Sequence, residues 1–82
     1  MTDGTKDIVG HGIGWAVKQL DNGERICRHG WNGKGMWLEL QMPDAHSKMT
    51  EPYVYLKTVQ DKLIPWNCSQ ADLLATDWEV LA

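Results

Sequence analysis

Phenylalanine is absent from this chain, and only three prolines and two cysteines occur in its 82 residues. Nor is there a surplus of positive charge: eight Lys and Arg stand against eleven Asp and Glu, for a net charge of −3 and a pI near 5.4. That balance excludes a long nucleic acid as partner, because neutralisation of phosphates by Lys and Arg supplies most of the affinity for a polyanion. The densest basic stretch, Arg25, Arg28, His29 and Lys34, suits one small anionic ligand at most. No apolar run approaches the roughly 18 residues of a spanning helix, and the first residues do not read as a signal peptide. Cys27 and Cys68 form no Cys-x-x-Cys pair, so they read as reduced thiols of a reducing cytosol. The three histidines, His11, His29 and His46, share no ligand spacing with each other or with the cysteines. No metal or other cofactor is expected from them.

What the chain does hold is tryptophan, five residues against two tyrosines. An indole is rarely fully buried, and it combines a flat π face with one N–H donor. With 43% apolar and 23% charged residues, the composition is that of one globular domain. Area scaling for a chain of this mass predicts about 63% of the unfolded surface buried. That supports a modest core and leaves little volume for a deep private cleft. We therefore expect some of the five indoles at the surface, and any sizeable pocket to lie between subunits.

Residues 1–12 are polar apart from Ile8 and Val9 and read as a partly ordered leader, with a single ligand-binding domain over 13–82. Ile13, Ala16, Val17 and Leu20 fall on one face of a short helix, with Trp15 and Lys18 off the stripe. Asp21-Asn22-Gly23 ends it. Residues 24–29 read as a strand entering the turn Gly30-Trp31-Asn32-Gly33-Lys34-Gly35. Met36, Leu38, Leu40 and Met42 then alternate with Trp37, Glu39 and Gln41, as on a strand with one buried face. Residues 43–52 form a polar loop. Val54, Leu56 and Thr58 alternate with Tyr53, Tyr55 and Lys57, and a turn at Gln60-Asp61 returns the chain through 62–64 until Pro65 stops the ladder. Ser69-x-x-Asp72 resembles a capping box opening a helix of about two turns. Trp78, Val80 and Ala82 share one face of a final strand, with Glu79 and Leu81 on the other. The order predicts an α+β domain: a small antiparallel sheet with a short N-terminal helix and a second short helix before the last strand.

No catalytic constellation stands out. Gly10-x-Gly12-x-Gly14 lacks the preceding strand of a dinucleotide fingerprint. Gly33-Lys34 lacks the spacing and the following Ser or Thr of a phosphate loop. Nothing in sequence near Cys27 or Cys68 marks an activated thiol. The expectation is a binder rather than an enzyme. Two segments exceed what a scaffold requires: the Trp31-Asn32-x-Lys34 turn, and Trp66 ahead of Ser69-Gln70-x-Asp72 at a helix start. An indole to stack on a base or ribose, with donors for a phosphate, is what a nucleotide-derived ligand needs. A β-turn whose indole covers a sheet edge, and a Ser69–Asp72 cap serving the helix alone, remain open readings.

Three stretches taken in order resemble one family. They are Gly30-Trp31-Asn32-Gly33-Lys34-Gly35-Met36, Pro52-Tyr53-Val54-Tyr55-Leu56-Lys57-Thr58, and Ile64-Pro65-Trp66 with residues 69–75 and Asp77-Trp78-Glu79-Val80. The chain is similar, from about Ile13 to Leu81, to the small phage and prophage domain that includes the second type of Thoeris anti-defence protein. It departs from the family's pattern in a longer leader and in Gln60-Asp61-Lys62 where an Asp-Gly hairpin turn is usual. The resemblance implies a non-enzymatic sponge acting in the cytoplasm of the infected bacterial host. Such a protein binds a cyclic ADP-ribose-type (glycocyclic ADP-ribose) immune signal without degrading it, in pockets between subunits of a homotetramer. Some relatives also hold cyclic oligonucleotide signals. On this chain Trp31 and Trp66 would stack on the adenine or ribose. Asn32, Ser69 and Asp72, with Gln70 beside them, would hydrogen-bond hydroxyls and base edges, and Lys34 or the helix N-terminus would face the pyrophosphate. The alternative is a phage protein-interaction or regulatory module with no small-molecule ligand.

Overall fold

The computed structural model describes residues 10–31 and 34–81; the first nine residues of the expected leader, Asn32 and Ala82 lie outside them. The elements run α1 (Ile13–Asp21), β1 (Ile26–Arg28), β2 (Trp37–Gln41), β3 (Tyr53–Lys57), β4 (Leu63–Pro65), α2 (Gln70–Leu73) and β5 (Trp78–Val80). The strands make one antiparallel sheet in the order β4-β3-β2-β1-β5. This is the α+β architecture that the alternating segments predict.

A row of apolar side chains crosses the sheet and sets its register. Ile26 pairs with Leu38 and with Val80, Leu38 with Leu56, and Leu56 with Ile64. A one-residue slip of any strand would turn that row to the wrong face, so burial holds the pairing. Helix α1 packs against β5, β1 and β2, and its Ala16 and Leu20 close over Ile26, Leu38 and Trp78 to form the buried core. The helix ends in a Schellman motif: Glu24 N–H donates to the Gln19 carbonyl at 3.0 Å and Gly23 N–H to Leu20 at 3.0 Å. Gly23 at φ 85° supplies the left-handed residue this needs.

Three local expectations are corrected. Val17 stands 48% exposed, whereas Trp15 packs against the core. Ile13, Ala16 and Leu20 centre the buried stripe and leave Val17 at its rim, while the Trp15 indole stacks on His11 at 3.8 Å. Pro65 does not stop the ladder, for it pairs with Tyr55 and Trp66 N–H still reaches the Val54 carbonyl at 3.1 Å. β4 is an edge strand, and the missing N–H of Pro65 falls on its unpaired side. Helix α2 has four residues, a single turn rather than two. The Asp72 carbonyl is taken by Ala75 N–H and by the Trp78 indole at 3.2 Å, which diverts the chain into β5.

On the face of the sheet away from α1, side chains rather than a second layer fill the surface. The Arg25 guanidinium lies 4.2 Å over the Trp37 ring and 3.7 Å from Glu39, and the Tyr55 hydroxyl donates to Glu39. Burial, and then that carboxylate, push the Tyr55 hydroxyl up to about 12.

The core row dominates stability. Leu38 is fully buried, so Leu38→Ala should cost about 2–5 kcal/mol, a large part of the roughly 4–12 kcal/mol expected for a domain of this length. Val17→Ser should change stability by no more than about 0.5 kcal/mol. Urea unfolding followed by circular dichroism measures both. Equal losses at the two positions would contradict the packing described.

Candidate functional site

The turn after β1 is fastened to the opposite end of the chain by one side chain. Arg28, the last residue of β1, lies opposite Trp78 in the β1–β5 ladder. Its Nε donates to Asp77 Oδ1 at 2.7 Å and its Nη1 to Asp72 Oδ1 at 2.8 Å. All three side chains are largely shielded, at 19%, 27% and 13% exposure. Asp77 Oδ2 also accepts the Gly30 N–H at 2.7 Å. A Cβ on Gly30 would sit 2.7 Å from that same oxygen, so the start of the turn admits glycine alone without displacing Asp77.

Trp31 follows directly, held through its own N–H to the Arg28 carbonyl at 3.2 Å and through its indole Nε1 to Asp72 Oδ1 at 3.1 Å. The ring stands edge-on to Trp78, with centroids 5.5 Å apart and planes at 80°. Trp66 meets Trp78 in the same manner, at 6.1 Å and 88°. Trp78 is fully buried, so two half-buried indoles rise from one core indole. Between them opens a groove of about 360 Å³, lined by Trp31, Trp66 and Asp72 together with Met36, Leu56 and Pro65. Asp72 is the one charged residue lining it among the described residues.

Electrostatics around the fork are settled by hydrogen bonding. Burial by itself would raise Asp72, but hydrogen bonds with Arg28, Trp31 and Ser69 outweigh it and hold the carboxyl below the usual range. Asp77 behaves alike: burial is overcome by Arg28 and by the Gly30 N–H. Arg28 is pushed up in turn, by its hydrogen bonds to Asp77 and then Asp72. The site is therefore an ionised triad at neutral pH, with an aromatic groove in front of it.

Of the residues singled out from sequence, Trp31, Trp66 and Asp72 converge on the groove. Ser69 is the N-cap of α2, its Oγ accepting the Asp72 N–H at 3.0 Å. Asp72 does not reciprocate as a capping box would, because its carboxylate is turned to Arg28 and Trp31. Gln70 and Lys34 are exposed and do not line the groove, and Asn32 lies outside the described residues. Sequence reasoning missed Asp77 and Trp78 as parts of the site and saw Arg28 only as one of a basic stretch. Nothing local marks Arg28 and Asp77 as partners, since 49 positions separate them. The fully buried Trp78 reads, from alternation alone, as ordinary core.

The profile of the Thoeris anti-defense 2-like domain family matches residues 11–81, which spans the whole of this sheet, both helices and the groove. The chain belongs to that family. It is also 34% identical over 83 aligned residues to Thoeris anti-defense 2 of Bacillus phage SP01, covering 85% of this chain and 93% of that relative. The match begins at His11, the residue whose carbonyl accepts the Trp78 N–H at 3.1 Å. Family membership assigns the chain an anti-defence role against Thoeris immunity. No helix among its described residues is long and apolar enough to cross a membrane.

The ionised triad makes stability depend on pH with a definite sign. Asp72 and Asp77 have folded values below their unfolded ones, near 3.9 for an unperturbed Asp. Their contribution is fully present above that value and is lost as pH falls through the folded values. Denaturation midpoints should therefore drop on acidification below about pH 4. The double variant Asp72→Asn, Asp77→Asn should start less stable and show a shallower acid slope. An unchanged slope in that variant would assign the acid sensitivity to other carboxylates.

Proposed function

We propose that this protein is a sponge: it binds and sequesters a cyclic ADP-ribose-type immune signal and leaves it chemically intact. The observation that carries the reading is the groove itself, which Trp31 and Trp66, each T-shaped against Trp78, line together. Stacking on an indole suits any base, and it is worth about 1–3 kcal/mol per base. In this reading Trp31 and Trp66 hold the adenine or ribose, Asn32, Ser69 and Gln70 provide hydrogen bonds around them, and Asp72 acts through Trp31, whose indole it holds. Lys34, exposed on the glycine turn, faces the pyrophosphate. The one-turn α2 offers little dipole for that task, and its Asp72 N–H is already taken by Ser69, so the cation is the stronger candidate.

The groove's size supports a shared pocket. About 360 Å³ lies at the small end of the roughly 300–1,000 Å³ range of ligand sites, and the groove is open on one side. A cyclised ADP-ribose needs a second wall. In a homotetramer a neighbouring copy would supply it, and closed symmetry would repeat the site. A smaller hollow of about 140 Å³ beside Tyr53, Tyr55 and Leu63 is too small for such a ligand. Binding without turnover is favoured at Cys27, where partial burial and then the neighbouring Glu79 carboxylate push the thiol up, away from the reactive thiolate. Cyclic oligonucleotides form a second ligand class to be tested beside the first.

Calorimetric titration with cyclic ADP-ribose isomers and cyclic oligonucleotides tests the proposal. Binding of an isomer, followed by heat release of the unchanged compound, is the expected outcome. Trp31→Ala should weaken that binding by about 1–3 kcal/mol. Recovery of a cleaved product would falsify the sponge. No binding by any compound of the panel would favour a protein-interaction module, and light scattering of a monomer that still binds tightly would remove the shared pocket alone.

A further inference from the structure

Trp31 has no hydrogen-bond donor left for a ligand. Its one donor is already spent on Asp72, 41 positions away in the chain, and the groove's lining carries a negative charge where the proposed ligand is itself anionic. Asp72 is held at its N–H, its carbonyl and one carboxylate oxygen, Oδ1. Its N–H is bound by Ser69 Oγ, its carbonyl by the Trp78 indole and its carboxylate by Arg28 and Trp31. Arg28 does not line the groove, yet it fixes Asp72 from behind at 2.8 Å and is itself fixed by Asp77 at 2.7 Å. An acceptor anchored in this way allows the Trp31 ring one orientation.

We infer that Arg28 and Asp72 are positioning residues for the Trp31 wall, so that a ligand meets this indole by its π face only. The inference rests on the proposed nucleotide reading of the groove for its ligand readout, and on geometry alone for the ring. Trp31 then contributes stacking without reading the identity of the base, because its N–H is not offered. Discrimination falls to the polar groups around it. The negative Asp72 in the lining also keeps phosphate away from this wall, so the groove takes the base and ribose end of a ligand. When the anchor is removed, the indole must be ordered on binding. Freezing one side chain of this kind weakens binding roughly two- to ten-fold.

Two measurements on the full chain test this. In ¹⁵N-labelled protein the Trp31 indole N–H resonance, assigned by its loss in Trp31→Phe, should shift and exchange faster with solvent in Asp72→Leu and in Arg28→Met. Asp72→Asn, which keeps an acceptor oxygen, should shift it less and is the variant of choice if Asp72→Leu does not fold. An unmoved resonance in the folded variants overturns the inference. In the second measurement, cyclic ADP-ribose and ADP-ribose are titrated calorimetrically into each variant. Asp72→Leu should weaken binding roughly two- to ten-fold, and should add nothing in a Trp31→Phe background. Equal weakening in both backgrounds means that Asp72 touches the ligand directly, which overturns the positioning role and leaves the sponge standing. If neither compound binds the unaltered protein, the ligand reading fails with these probes, and the indole resonance alone decides the positioning.

Discussion

The Arg28 guanidinium, divided between two carboxylates, is the interaction on which the rest of the site depends. Asp72 sits on α2 and Asp77 just ahead of β5, while Arg28 closes β1, so three separate segments meet at one planar group. Each charge is largely withdrawn from water and would be costly there without its partners. Together they are mutually satisfied: among the described residues no buried side-chain nitrogen or oxygen lacks a hydrogen-bond partner. Loss of Arg28 would leave two carboxylates facing one another, a penalty on the order of 2–4 kcal/mol.

From that junction the groove follows without hollowing the core. Among the described residues five apolar side chains are fully or nearly buried, and Trp78 is the largest of them. Trp31 and Trp66 extend the same aromatic cluster outward, so the wall of the groove continues the packing that folds the protein. An open aromatic wall is the form of site that a small α+β domain can build while keeping its core intact.

Much of the fold was legible because its signals are local. The alternation over 36–42 and over 53–58 gave two strands and, through Leu38, Leu40, Val54 and Leu56, the face each turns to the core, although Met42 past the end of β2 is exposed; Asn22-Gly23 marked the end of α1. The errors came where a neighbour overrode a local rule. Pro65 is a strand-breaker by type, yet an edge position has no partner to miss its N–H. Ser69 and Asp72 have capping-box spacing, yet the Asp72 carboxylate was drawn away by Arg28. Trp15 lies off the apolar stripe of α1 but is buried in part through His11, which an isolated helix lacks.

Residue type and spacing alone determined the element order, the antiparallel alternation and the two tryptophan segments. These depend on the periods of helix and strand and on the chemistry of single side chains. Tertiary structure decided which of the singled-out residues meet. Trp31, Trp66 and Asp72 share a groove, while Lys34 and Gln70 stand outside it. It also revealed Arg28 and Asp77, whose partnership across 49 positions exists only because Ile26 pairs with Val80 and so sets Arg28 beside Trp78. A register is a property of two strands at once, and a contact that follows from register cannot be read from either strand by itself.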